Sequence, residues 1–152
     1  MKKILIYALV ASVLQATSLI MPATAAEHPE NSSEHPGDEV TAKSVKKGIS
    51  DHVKMQTKAS GGVLVVHDDK LKKDWKLKFA KVHDPVRTFV RERKAIFFAC
   101  TDFKSVESDD VLDIDFWMVR KGKMFEVIDT KIHKVNGEPR YTYEGTEIKE
   151  IR

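Results

Sequence analysis

The first periodic apolar pattern after the N-terminal segment is helical. Val45, Ile49 and Val53 follow one another at four-residue steps, and the lysines at 43, 46, 47, 54 and 58 fall mostly on other faces. This spacing places one narrow apolar stripe along an amphipathic helix. Asp38 or Thr41 can cap its start, and a Gly-Gly pair follows its end. The stripe contains no aromatic residue, which favours packing on a protein core over binding to a membrane surface.

After the glycine pair the apolar period changes to two residues, which indicates strands. The clearest alternation spans 112–118, where Asp113 and Asp115 separate apolar side chains, and 95–103 is a near-continuous apolar run typical of a central strand. The basic segment between Pro85 and Ala95 is predicted to be a loop. The predicted strands are 63–66, 75–79, 95–103, 112–118 and 125–135.

A hairpin is predicted near the C-terminal end of the chain. Asn136-Gly137 is the dipeptide most typical of a two-residue hairpin turn, and Tyr141 and Tyr143 mark the expected return strand. The fold class predicted is therefore α+β. One N-terminal helix packs on a curved, mostly antiparallel sheet of five to six strands, which together form a roll.

This order of elements, over residues 38–145, resembles the cystatin-like and nuclear-transport-factor-like roll folds. The cystatin inhibitor motif Gln-x-Val-x-Gly is not matched by Gln-Thr-Lys-Ala-Ser at 56–60, so protease inhibition is not carried over. Proteins with the nuclear-transport-factor-like fold close a conical pocket with additional helices, whereas one helix is predicted here. The chain also resembles small secreted bacterial proteins with Glu-His-Pro tails, a resemblance that implies no mechanism.

Residues 1–26 have the pattern of a secretory signal peptide. Lys2 and Lys3 precede an apolar run over 4–14, and a small-residue segment ends at Ala25-Ala26. The apolar run is shorter than the roughly 20 residues that a membrane-spanning helix needs. We therefore expect cleavage after Ala25 or Ala26, no stable membrane anchor afterwards, and a periplasmic or secreted protein.

Residues 27–37 form a predicted disordered tail, and 38–152 form a single predicted domain. The tail contains no large apolar side chain, so it cannot bury enough surface to offset the entropy lost on ordering. It carries Glu-His-Pro twice, with His28 and His35 seven residues apart.

The tail offers a candidate metal site. Cleavage after Ala25 would leave Ala26-Glu27-His28, whose amine, two amides and imidazole can surround Cu(II) or Ni(II) in a square plane. His35 would add a second, weaker site. Cleavage after Ala26 would spoil the arrangement, and the tail would then be a solvated linker.

The total charge says little about partners. The chain of 152 residues has 26 basic and 23 acidic residues, but removal of Lys2 and Lys3 with the signal leaves 24 and 23. The densest basic segment, 87–94, is interrupted by Glu92 and shows no stacking platform, so no nucleic-acid partner is expected. A single Cys excludes an internal disulfide and any multi-Cys zinc site.

Two groups of residues within the domain could carry chemistry. Cys100 lies in an apolar strand and is expected to be a small core residue rather than a nucleophile. Polar residues and one tryptophan on neighbouring strands form a possible binding surface, with the solvated face of a half-buried sheet as the alternative. These residues are Asp113, Asp115, Trp117, Asp129, Lys131 and His133.

The function predicted is an exported, non-catalytic binding or interaction domain. Its partner would be a protein or small-molecule ligand that the pattern does not identify. The alternative is a periplasmic protein that captures Cu(II) or Ni(II) through its tail, and no other cofactor is expected. An enzyme ranks third, because the chain has no nucleophile elbow, closed metal motif or Gly-rich phosphate loop.

Overall fold

The computed structural model describes residues 40–151. The predicted signal peptide and tail, including Ala26, Glu27, His28 and His35, lie outside these residues. In the described range no helix has both the length and the apolar character that crossing a membrane requires. The elements in chain order are α1 (Ala42–Gln56), β1 (Val63–Asp68), β2 (Lys73–Val82), β3 (Arg87–Arg91), β4 (Lys94–Ser105), β5 (Val111–Lys121), β6 (Met124–Val135), β7 (Glu138–Pro139), β8 (Tyr141–Glu144) and β9 (Glu147–Glu150).

Helix α1 forms where the apolar stripe predicted it. The Thr41 hydroxyl accepts a hydrogen bond from the Ser44 amide at 3.1 Å and so caps the first turn. Val45, Ile49 and Val53 are the buried residues of the helix. The helix ends at Gln56, before the glycine pair, and a short 3-10 turn over Lys58–Ser60 leads into β1.

Strands β1 to β7 form one curved antiparallel sheet that wraps into a half-barrel, and α1 packs on its inner face. The strand order is β1-β2-β4-β5-β6-β7, and β3 pairs with β4 beyond the end of β2. The predicted α+β class and the antiparallel curved sheet are confirmed. The core under the helix contains large apolar side chains from the central strands, including Leu77, Phe97, Phe103, Leu112, Ile114, Phe116 and Met118.

The opposite face of the sheet is also covered. A two-stranded hairpin of β8 and β9 lies over it, and Tyr141 and Tyr143 from β8 are buried there. They join a second apolar cluster with Phe98 and Trp117 from the sheet. The alternation along β4 and β5 therefore sends side chains into two separate cores rather than into one core and solvent.

The prediction of a loop between Pro85 and Ala95 is wrong, because this segment contains strand β3. Arg87–Arg91 pairs with Lys94–Phe98 of β4, and Phe89 is fully buried. The turn is made by Glu92 and Arg93, which both have positive φ angles of 51° and 65°. Glycine and asparagine dominate such turns, so a Glu-Arg pair gives no hairpin signal in the sequence.

The prediction that Tyr141 and Tyr143 return along β6 is also wrong. After the Asn136-Gly137 turn, Glu138–Pro139 pairs with β6 and the Arg140 amide donates to the His133 carbonyl at 2.8 Å, after which the chain leaves the main sheet. The tyrosines therefore belong to the separate hairpin that crosses the other face.

The departure at Arg140 is stabilised by an ion pair with Asp68, at the end of β1. Both guanidinium Nη atoms donate to the carboxylate, at 2.6 and 2.7 Å, and Trp75 Nε1 donates at 2.8 Å. Burial raises the pKa of Asp68, but the hydrogen bonds from Arg140 and Trp75 outweigh it and hold that pKa well below its ordinary value. The ion pair thus connects the first strand of the half-barrel to the start of the hairpin.

We expect Asp68→Asn to lower the free energy of unfolding at pH 7 by about 3–5 kcal/mol, because it leaves a buried guanidinium without its counter-ion. The depressed pKa of Asp68 means that its contribution is present above the ordinary carboxyl pKa and is lost as the pH falls below it. The wild type should therefore lose more stability than the variant between pH 5 and pH 2, a range chosen around the ordinary pKa of roughly 4. Urea unfolding across this range measures both effects.

The exposed ion pair between Lys47 and Asp51 on α1 is the matched control. Asp51→Asn should change the free energy of unfolding by less than about 1 kcal/mol, since solvent-exposed pairs contribute little. Equal effects of the two substitutions would contradict a special role for the Asp68–Arg140 pair.

Candidate functional site

Four buried side chains with metal-ligand chemistry converge on the hairpin-covered face of the sheet. Cys100, Asp113, Asp115 and His133 each present one ligand atom, and these four atoms all lie within 4.8 Å of one another. We call this group the Cys-Asp-Asp-His cluster. A thiol, two carboxyls and an imidazole rarely share a buried site, because burial is costly for each charged form.

The strand register brings these residues together. Cys100 on β4 lies directly opposite Asp115 on β5. Asp113 is two residues from Asp115 and so shares its face. On β6 the register passes from Asp113 opposite Lys134 to Ile114 opposite Ile132, which leaves His133 as the extra residue of a β-bulge. Bulges re-aim side chains and are frequent beside functional sites.

Asp115 connects the cluster to the hairpin. Its Oδ2 atom accepts hydrogen bonds from the hydroxyls of Tyr141, at 2.8 Å, and Tyr143, at 2.7 Å. Burial, followed by the negative charge of Asp115, raises the pKa of both tyrosines, so both hydroxyls remain donors. The ring of His133 stacks on Tyr141 with centroids 4.8 Å apart. The hairpin thus supplies two fixed donors to a carboxylate that has no contact with solvent.

The carboxylates keep oxygens that no described residue satisfies. Asp113 Oδ1 and Asp115 Oδ1 are both buried and have no hydrogen-bond partner within residues 40–151. His133 Nδ1 lies 3.9 Å from Asp113 Oδ2 and 3.5 Å from Asp115 Oδ2. Burial, and then the charge of Asp115, raises the pKa of Asp113 to about 6. Two carboxylate oxygens thus point into the protein without a donor.

Cys100 is buried, as expected, but it faces the polar cluster. Burial and the charges of Asp115 and Asp113 raise the pKa of its thiol far above the ordinary value. A nucleophilic cysteine requires the opposite, an electropositive and partly exposed setting. The geometry therefore gives no support to a catalytic role for Cys100.

The residues predicted as a binding surface do not form one open patch. Asp113, Asp115, Trp117 and His133 share the covered face and are buried. Asp129 is exposed, although it lies opposite Trp117 in the register. The remaining member, Lys131, is partly exposed and donates to Glu150 of the hairpin at 2.6 Å.

Sequence reasoning missed three members of the site. Tyr141 and Tyr143 were assigned only to a return strand, and Cys100 only to the core. One signal was present: Phe98, Cys100 and Asp102 alternate along β4 as Asp113, Asp115 and Trp117 do along β5. The near-continuous apolar run around Cys100 obscured this alternation.

No family model matches the chain, and neither a curated protein nor a solved structure shows a significant match to it. The chemistry of the site therefore has to be read from its own residues.

Tyr143→Phe should lower the free energy of unfolding of the metal-free protein by about 1–3 kcal/mol, because a buried carboxylate loses a hydrogen bond. The cost should be smaller when Asp115→Asn is already present, since the two groups interact directly. Urea unfolding in EDTA, followed by tryptophan fluorescence, measures the four members of this cycle.

Thr142→Val, on the same strand between the tyrosines, is the control and should change stability by less than about 0.5 kcal/mol. Strictly additive effects of Tyr143→Phe and Asp115→Asn would show that the hydroxyl and the carboxylate are not energetically coupled.

Proposed function

We propose that the chain is an exported, non-catalytic binding module whose domain holds a divalent transition-metal ion in the Cys-Asp-Asp-His cluster. The observation that carries this proposal is the convergence of four buried ligand atoms within 4.8 Å of one another. Two of the residues also retain buried carboxylate oxygens without a partner among the described residues.

The mixture of ligands favours zinc or a similar ion. Zinc accepts sulfur, imidazole nitrogen and carboxylate oxygen, and its structural sites have four protein ligands in a tetrahedron. Ligands at 2.0–2.3 Å from a tetrahedral centre are about 3.3–3.8 Å apart. The cluster needs an inward movement of only about 1 Å to reach that spacing. Magnesium and calcium prefer all-oxygen ligands and fit this set poorly.

A cation would relieve the electrostatic cost of the cluster. Asp113 and Asp115 raise the pKa of the Cys100 thiol, which makes the metal-free site unfavourable for a thiolate. A bound divalent cation inverts this field and deprotonates a coordinating thiol. Binding would therefore neutralise two buried carboxylates and release a proton from Cys100.

The tyrosines fit the role of outer partners that orient a ligand. Both hydroxyls donate to Oδ2 of Asp115, which leaves Oδ1 for a cation. Hydrogen bonds of this kind orient ligating carboxylates and strengthen metal affinity. The hairpin over the cluster also excludes water, which suits a structural or storage role better than catalysis at an open coordination position.

Export rests on the signal pattern in residues 1–26. The tail residues Ala26, Glu27, His28 and His35 remain a separate predicted Cu(II) or Ni(II) site. Tests of the domain site therefore use a chain that carries His28→Ala and His35→Ala, so that the tail cannot contribute.

Zn(II) at a free concentration one hundredfold above its dissociation constant should raise the free energy of unfolding by about 3 kcal/mol. Co(II) should produce a thiolate-to-cobalt absorption band, because Cys100 is the only thiol in the chain. Cys100→Ala should abolish the band and most of the stabilisation. Thermal unfolding and visible absorption provide the two measurements.

Thr101→Val is the matched control, since Thr101 is a buried polar residue of the same strand and pairs with Ile114 on the helix-facing side. It should keep both the cobalt band and the stabilisation by zinc. Cobalt binding without a thiolate band, or zinc stabilisation that survives Cys100→Ala, would place the metal elsewhere and overturn the proposal.

A further inference from the structure

A second group of metal-ligand side chains adjoins the Cys-Asp-Asp-His cluster. His83, Asp102 and Asp113 each present a ligand atom, and these three atoms also lie within 4.8 Å of one another. Asp113 belongs to both groups. We call His83, Asp102 and Asp113 the outer trio.

Backbone pairing holds the outer trio in place. Asp102 on β4 lies directly opposite Asp113 on β5, one alternation step from the pair of Cys100 and Asp115. His83 follows β2, and its amide donates to the Cys100 carbonyl at 2.8 Å. This bond fixes His83 beside the strand that carries both Cys100 and Asp102, independently of any side-chain contact.

The outer trio differs from the inner cluster in its access to solvent. The side chains of His83 and Asp102 are 31% and 23% exposed, whereas those of His133 and Asp115 are fully buried. His83 Nε2 lies 2.8 Å from Asp102 Oδ1, and Lys81 Nζ lies 3.9 Å from Asp102 Oδ2. The outer trio therefore lies nearer to solvent than the inner cluster.

Asp113 has the chemistry of a bridging ligand. Its side chain is about nine-tenths buried, Oδ2 lies on the side of His133, and Oδ1 has no hydrogen-bond partner among residues 40–151. His83 Nε2 is likewise a buried atom with no hydrogen bond of acceptable geometry within that range, despite its closeness to Asp102. A carboxylate between two ligand groups is a common feature of two-metal centres, where the ions lie about 3.5–4 Å apart.

We infer that the domain has a second divalent-cation position at the outer trio, with Asp113 shared between the two ions. This inference rests on the proposed function, since the shared carboxylate has two roles only when the inner cluster is occupied. The outer position offers one nitrogen and two carboxylate oxygens and no sulfur, so it suits Zn(II), Co(II) or Mn(II) rather than an ion that requires thiolate ligands. The alternative is that His83 and Asp102 form only an ion pair.

Co(II) is the probe for both positions, in the full chain carrying His28→Ala and His35→Ala. Native mass spectrometry should count two Co(II) ions in this parent, and visible absorption should show the thiolate band. His83→Gln or Asp102→Asn should remove one ion and retain the thiolate band. Asp113→Asn should weaken binding of both ions.

His67→Gln is the matched control, because His67 lies 2.7 Å from Asp74 in a similar histidine–carboxylate contact on the surface. It should leave two ions bound. Circular dichroism of every variant checks that the fold is retained.

The possible failures are distinguishable. One bound ion with an intact thiolate band in the parent would overturn the outer position and leave the inner site standing. Two ions retained by both His83→Gln and Asp102→Asn would likewise overturn it. The absence of any thiolate band would overturn the proposed function itself.

Discussion

The sheet and the hairpin that covers its outer face depend on each other at the fully buried carboxylate of Asp115. A carboxyl group without solvent requires hydrogen-bond partners, and the donors here are the hydroxyls of Tyr141 and Tyr143. Both come from the hairpin, so Asp115 keeps these two partners only while the hairpin lies on the sheet. The C-terminal segment supplies these donors because it leaves the main sheet instead of extending it.

The hairpin is held at more than one point, which gives the site a fixed geometry. Arg140 binds Asp68 on the first strand, and its carbonyl accepts a hydrogen bond from the Ile151 amide at 3.0 Å. Lys131 adds a contact to Glu150. Both strands of the hairpin are thus held at its open end, next to Tyr141, and this fixes the side from which Tyr141 and Tyr143 approach Asp115.

Local periodicity predicted the helix and the long strands but not β3, and it could not predict which residues are neighbours across strands. The stripe of Val45, Ile49 and Val53 was sufficient for the helix, and the alternation around Asp113 and Asp115 was sufficient for β5. The pairing of Cys100 with Asp115 depends on register, and the position of His133 depends on a bulge. Neither the register nor the bulge can be inferred from a single segment, because each is determined by contacts between strands that are distant in the chain.

A metal held between sheet and hairpin would couple its binding to the docking of the hairpin. In the absence of the ion, docking must bury Asp113 beside Asp115 on the same face of β5, and burial, followed by the charge of Asp115, raises the pKa of Asp113 to about 6. With the ion, the same carboxylates become ligands, so the free energy of binding contributes directly to docking. Thermodynamic linkage then requires that opening of the hairpin weaken metal binding by the same free energy by which the metal favours docking. Loss of the contacts that Tyr141 and Tyr143 make to Asp115 would therefore weaken binding of an ion at the inner cluster.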